Sequence, residues 1–178
     1  QLLNIDNVDL VGLFDISKIA QKTASKKYNV PEYSSAEALL QVVDAVSIVA
    51  PTSEHFNIAI LALNFNCHLF IEKPITDNID HARLLLNKAK KLNKIIQVGH
   101  IERFNPAFTL LKKADIQPRF IETHRLAEFN PRGNDVPVIL DLMIHDLDII
   151  LSLVQSKIQN ILANGVLEIL PDGYGFLR

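Results

Sequence analysis

The sequence predicts an α/β fold, an open parallel sheet covered by helices on both faces. Two observations carry that prediction. Short β-rich apolar runs recur at residues 8–15 (VDLVGLFD), 42–50 (VVDAVSIVA), 68–71 (HLFI) and 94–98 (KIIQV). Between them lie helical stretches at residues 17–28, 53–64 and 78–92. Near-continuous apolar strands separated by helices of about 10 to 15 residues mark a parallel sheet, because parallel neighbours need a crossover that also buries them.

Each element has its own justification. The run at 8–15 ends in an acid, Asp15, and Ser17 then stands where a helix cap belongs. The 42–50 run is dominated by valine, and a Pro-Thr-Ser turn separates it from the next helix. The helix at 78–92 gathers lysines near its C-terminal end, where the helix dipole favours positive charge. Beyond residue 98 the pattern changes. Residues 119–129 (RFIETHRLAEF) alternate only in part, as in a strand with one solvated face. A loop at 130–137 (NPRGNDVP) leads to a long helix at 138–154, with short strands expected at 157–163 and 165–170. A boundary near 115–120 therefore gives three parts: 1–117 as the parallel α/β domain, 118–164 as the opening of an α+β domain, and 165–178 as a foreign-looking hairpin tail.

Bulk properties narrow the function classes. A chain of 178 residues, 48% hydrophobic and 21% charged, has the composition of a globular protein. A net charge of −2 argues against a generic polyanion binder, so nucleic acid is not an expected partner. The single cysteine, Cys67, excludes an intrachain disulfide framework and reads as a small buried side chain. No apolar run approaches the roughly 18 residues of a membrane helix, and residues 1–9 do not resemble a signal peptide; the expected setting is the cytoplasm.

An acid at the end of a strand is the second-strand signature of a Rossmann-type dinucleotide fold. There the carboxylate accepts hydrogen bonds from the adenosine ribose and repels a 2′-phosphate, which favours NAD over NADP. Asp15 also fits an ordinary turn or cap. The glycine-rich turn of such folds lies about 20 residues upstream of the acid, but no G-x-G-x-x-G occurs here. With no initiator methionine either, the expectation is a chain shortened at its N-terminus, which would hold a cofactor pyrophosphate poorly.

Further candidates stand where strands end. Pro51, Thr52 and His55 follow the second run, at the sheet edge where such folds bind ligands; Thr52 or Ser53 would also cap the helix. Glu72, Lys73 and Pro74 follow the third run, with Pro74 fixing the backbone so that Lys73 is held at the crevice edge or, alternatively, is a solvated surface lysine. A positioned ammonium polarises a hydroxyl or stabilises developing negative charge. At 100° per residue, Asp141, His145 and Asp148 fall within about 60° on one helix face, with the apolar residues Leu140, Met143, Ile144, Leu147, Ile150, Leu151 and Val154 on the other side. A carboxylate beside an imidazole orients it and raises its basicity, which suits proton transfer. With no second histidine nearby, the group falls short of a usual metal site, and no metal is expected.

Taken in order, these segments resemble the Gfo/Idh/MocA family of sugar and sugar-nucleotide dehydrogenases. The resemblance rests on Asp15, the turn from Pro51 to His55, Glu72-Lys73-Pro74, the stretch VGHIERFNP at 98–106 and the helix from Asp141 to Asp148. It implies Lys73, Asp141 and His145 as the catalytic group, NAD as cofactor, and a homo-oligomeric parent enzyme. It also implies that Arg103 to Pro106 lie near cofactor or substrate. On that basis Asp15, Pro51, Thr52, His55, Glu72, Lys73 and Arg103 are expected beside the cofactor, and Lys73, Asn105, Asp141 and His145 beside the substrate. The wording GHIERFNPA and DLMIHDLD is most similar to the subgroup that oxidises the 3-hydroxyl of a UDP-N-acetylhexosamine. Residues 165–178, with Tyr174 and Phe176, instead resemble the start of the RNA-binding domain of transcription termination factor Rho. A plain hairpin turning at Asp172-Gly173 accounts for them equally, and a fusion junction near Asn164 would explain the change of pattern.

Overall fold

The computed structural model describes residue 3, residues 5–114, 116–124, 136–137, 139–154 and 156–158, and the backbone of residues 167–169 and 175–177. The chain divides into two compact units, Gln1–Gly99 and His100–Arg178.

The first unit is built on a three-stranded parallel sheet. Strands β1 (Ala45–Ile48), β2 (His68–Ile71) and β3 (Ile96–Val98) lie side by side in that order. The register pairs Ile48 with Ile71 and Ile71 with Val98, so all three strands finish at one edge. Helix α3 (Thr52–Asn64) crosses from β1 to β2, and helix α4 (Ile79–Lys91) from β2 to β3. Parallel crossovers are right-handed, and a sheet that grows in one direction places successive crossovers on the same face. The two helices accordingly pack against each other and bury Ile48, Leu69 and Ile71 with Ala59, Ala62, Leu63, Leu85 and Ala89. Among the described residues, α3 and α4 thus cover one face of the sheet. Burial alternates along β2, where Leu69 and Ile71 are buried while Phe70 is exposed. Cys67 lies in this core, its thiol donating to the carbonyls of Val43 and Leu40 at 3.4 and 3.6 Å.

The run at 8–15 differs from expectation. It forms no named strand, only an isolated parallel bridge between Leu13 and Glu32, made by Leu13 N–H to Pro31 O and Tyr33 N–H to Leu13 O, both at 3.0 Å. One residue of pairing does not make a ladder. Helix α1 (Lys18–Tyr28) starts where expected, with Ser17 accepting the Ala20 N–H at 3.3 Å. Asn29 closes it in the left-handed region at φ 52°, a conformation asparagine tolerates. The buried Gln21 donates from Nε2 to Tyr33 O at 2.9 Å, tying α1 to the segment that pairs with Leu13. Short helix α2 (Ala36–Leu40), capped by Ser35, lies outside the sequence expectation because five residues are too few to display a helical period.

The second unit opens with a 3₁₀ turn, Ile101–Phe104, followed by helix α5 (Pro106–Lys113), neither of which the apolar pattern had marked. Residues 119–124 carry no strand, and 125–129 lie outside the described residues. The expected long helix is two segments: a π-helical stretch, Ile139–Met143, running into helix α6 (Ile144–Leu153). Pro137 O accepts from both Leu140 N–H at 2.8 Å and Asp141 N–H at 3.1 Å. Residues 157–158 are not strand, and the rest of 157–163 lies outside the described residues. Strands β4 (Leu167–Ile169) and β5 (Gly175–Leu177) pair antiparallel, with Glu168 opposite Phe176, flanking the expected Asp172-Gly173 turn, itself outside the described residues. Among the described residues no helix is long and apolar enough to cross a membrane.

Gly12 offers a test of how tightly the Leu13 bridge is packed. A Cβ added there would run into the Tyr33 ring and stand 2.9 Å from Pro31 O. Gly12→Ala should therefore cost about 1–3 kcal/mol through overpacking against backbone, measured by denaturant unfolding. An unchanged midpoint would show that the Tyr33 segment yields freely.

Candidate active site

In the first unit, Pro51, Thr52 and His55 follow the C-terminal end of β1, at the start of α3, and Glu72, Lys73 and Pro74 follow that of β2. Asp15 is solvent-exposed at the end of the 8–15 run, and its Oδ1 accepts the Ser17 N–H at 2.7 Å. The carboxylate is thus held by its own turn while facing water. Helix α3 is capped at Pro51, which has no side-chain acceptor; Thr52 is its first residue, not its cap, and is buried. The N-terminus of this helix thus has no capping side-chain hydrogen bond, and the positive end of a helix dipole favours a negatively charged ligand group.

Glu72, Lys73 and Pro74 follow directly on β2, and the Lys73–Pro74 peptide is cis. Glu72 N–H donates to Ile48 O at 3.0 Å and Gly99 N–H donates to Ile71 O at 2.8 Å, which extends the ladder to the root of this turn. Gly99 is the neighbour that admits the Glu72 carboxylate, since a Cβ there would stand 3.0 Å from Oε2. Lys73 is half-buried. His55 is 1% exposed, with Nδ1 2.8 Å from Pro74 O and Nε2 2.9 Å from Ala50 O. Both ring nitrogens are thereby engaged by backbone carbonyls at the edge of the sheet.

In the second unit, the centre is a carboxylate that the helical pattern left in a minor role. Asp148, on α6, is 8% exposed. Arg103, on the 3₁₀ turn, grips it with two parallel bonds, Nε to Oδ2 at 2.7 Å and Nη2 to Oδ1 at 2.5 Å. Such bidentate pairs combine charge with geometric fit. His100 Nδ1 lies 3.9 Å from the same carboxylate, beyond hydrogen-bond reach. The Arg103 hydrogen bonds hold the Asp148 carboxyl below its ordinary value, against the opposing effect of burial; the charges of His100, Arg103 and His145 act in the same direction as those bonds. The carboxylate in turn raises the Arg103 guanidinium. Asn105 is exposed and caps α5, its Oδ1 accepting the Ala107 N–H at 3.0 Å.

The face assignment along this helix needs correcting. Met143, Leu147 and Leu151, expected in a core, are 47%, 40% and 55% exposed, whereas Asp148 on the polar stripe is buried. The 3₁₀ turn packs on the Asp148 side of α6 and supplies the cation that lets a carboxylate be buried. Asp141 belongs to the π stretch, so the uniform 100° spacing to His145 does not hold. Asp141 and His145 are both half-buried. Among the described residues no cluster of His, Cys, Asp and Glu is arranged to hold a metal ion.

Residues 1–100 match the model of the Gfo/Idh/MocA oxidoreductase family, NAD-binding Rossmann fold. The chain belongs to that family. Among its relatives is UDP-N-acetylglucosamine 3-dehydrogenase of Acidithiobacillus ferrooxidans, 40% identical over 158 residues, covering 88% of this chain and 50% of the relative. A solved structure of that enzyme superposes with a TM-score of 0.84 at 39% identity, over 92% of this chain and 55% of the other. The NAD(+)-dependent scyllo-inositol 2-dehydrogenase of Bacillus subtilis is 27% identical over 157 residues, 83% of this chain and 45% of the relative. The chain spans about half the length of these curated relatives. None of these matches supports the Rho-like reading of residues 165–178, and the two strands among the described residues there fall short of a five-stranded barrel.

Asp148→Asn tests the Arg103 pair. It should lower stability at neutral pH by about 1–2 kcal/mol, towards the low end for charged hydrogen bonds because Arg103 is half-exposed. A carboxyl held low in the folded state stabilises above its unfolded value, and that contribution disappears as pH falls through the folded value. Thermal melts from neutral to acid pH should show a shallower acid decline in the variant. Superimposable curves would dismiss the pair as a stabilising contact.

Proposed function

We propose that this chain carries the cofactor-binding part and the catalytic residues of an NAD-dependent dehydrogenase that oxidises the 3-hydroxyl of a UDP-N-acetylhexosamine. The observation that carries the reading is Lys73, at the end of the central strand β2 in a turn whose backbone is pinned by buried His55. The 40% identity to an enzyme of that name supports the substrate class.

The residues present suit the cofactor. Asp15 offers an exposed carboxylate for the adenosine ribose, and the start of α3 at Pro51 and Thr52 offers the positive end of a helix dipole. Glu72, Lys73 and Arg103 complete the set proposed to adjoin it. NAD, when bound, supplies the hydride acceptor. Lys73 donates a hydrogen bond to the substrate hydroxyl and lowers the cost of its deprotonation. His145 accepts the hydroxyl proton as general base, and Asp141 orients the imidazole. Asn105 adjoins the sugar. The nucleotide-binding portion extends to residue 117, residues 118–164 begin the substrate-binding portion, and the enzyme at its natural length is a homo-oligomer.

Lys73→Ala and His145→Ala, made in the protein at its natural length, should each lower nicotinamide reduction by at least about 100-fold, with NADH binding by fluorescence within a few-fold of the parent. Turnover near normal in either variant sinks the assignment. Asp15→Ser should weaken NAD binding by about 10-fold, the worth of one charged hydrogen bond, and narrow the preference over NADP. An unaltered preference would remove Asp15 from the cofactor site.

A further inference from the structure

The geometry around His55 sets a donor-counting problem. Its ring is 1% exposed, with Nδ1 2.8 Å from Pro74 O and Nε2 2.9 Å from Ala50 O. Both partners are backbone carbonyls, which accept and never donate. A neutral imidazole has one N–H and one lone pair, so it can satisfy only one of them. The second contact would then set a nitrogen lone pair against a carbonyl oxygen inside the core, where an unmade hydrogen bond is costly. At these distances no water stands between the groups.

We infer that His55 is a positioning residue held as an imidazolium, donating from both ring nitrogens and so bracing the Lys73–Pro74 turn against the end of β1. The brace runs through three elements. His55 sits in the first turn of α3, Ala50 lies just beyond β1, and Pro74 directly follows Lys73 after β2. The ladder bonds from Glu72 to Ile48 and from Gly99 to Ile71 fix the strand ends only as far as the root of the turn. Beyond that root, the two carbonyl bonds from one rigid ring set the distance between the two loops. Burying a cation is costly, and the two carbonyl acceptors offset that cost in part by accepting both of its N–H groups. His55 thus acts on chemistry through the placement of Lys73, and this second step rests on the dehydrogenase reading above.

The protonation state is tested on this chain itself. Long-range proton–nitrogen NMR of the ¹⁵N-labelled protein, with His55 assigned by loss of its signals in His55→Gln, should show both ring nitrogens protonated and both N–H protons slow to exchange. One nitrogen in the unprotonated, pyridine-like position overturns the imidazolium. The positioning role is tested at natural length by comparing His55→Phe with His55→Gln. Because misplacing a catalytic group by about 1 Å costs on the order of 100-fold, His55→Phe should lower kcat by at least about 10-fold. NAD affinity should stay within about threefold, and His55→Gln, which keeps a donor, should recover part of the loss. A kcat for His55→Phe within about twofold of the parent overturns the positioning role. Should His55→Phe fail to fold, the partial kcat loss of His55→Gln decides. If Lys73→Ala itself leaves turnover intact, the dehydrogenase reading fails, while the NMR result on His55 stands by itself.

Discussion

Parallel strands that follow one another in sequence must each return the chain to the same end of the sheet, and the return is right-handed. That constraint organises the first unit. Because β1, β2 and β3 lie in sequence order, α3 and α4 fall on one face and make one core from Ile48, Leu63, Ile71 and Leu85. The same constraint gathers three strand ends at one edge, so Ala50, Lys73 and Gly99 stand on neighbouring loops although they are far apart in the chain. No separate interaction is needed to bring these loops together.

Buried polar groups then set the details that apolar packing leaves loose. Gln21 ties α1 to Tyr33, His55 ties two edge loops, and Asp148 ties α6 to the turn bearing Arg103. These bonds span 5 to 45 residues of chain, and each has a buried side chain as one partner. Apolar contacts tolerate sliding, whereas a directional bond to a buried group does not, because leaving that group unpaired is costly. Two of these struts, at His55 and Asp148, lie at the sheet edge and on the helix that carries His145.

On the proposed reading Lys73 polarises the hydroxyl and the imidazole of His145 takes its proton. Asp148 neighbours that imidazole in charge, yet its two oxygens are committed to Arg103. Its role is to fix the helix that carries His145 relative to the 3₁₀ turn.

The sequence by itself determined the element types from β1 to β3, since strand and crossover periods are local properties of the chain. The strand at 68–71 and the helices beginning near Ser17, Thr52 and Asn78 were legible to within a few residues. It also marked Asp15, Lys73, Asp141 and His145, because acids and bases at strand ends or along one helix stripe are visible as spacing. Only the tertiary structure decided which polar residues are buried. Arg103 and Asp148 are 45 residues apart, and nothing local to either announces the other. His55 followed a helix-start pattern that suggested a ligand-facing side chain, but the carbonyls that engage it belong to two loops brought together by the sheet. Face assignment along 139–153 failed for the same reason: burial depends on what packs against a helix, and periodicity records only how its own residues are arranged.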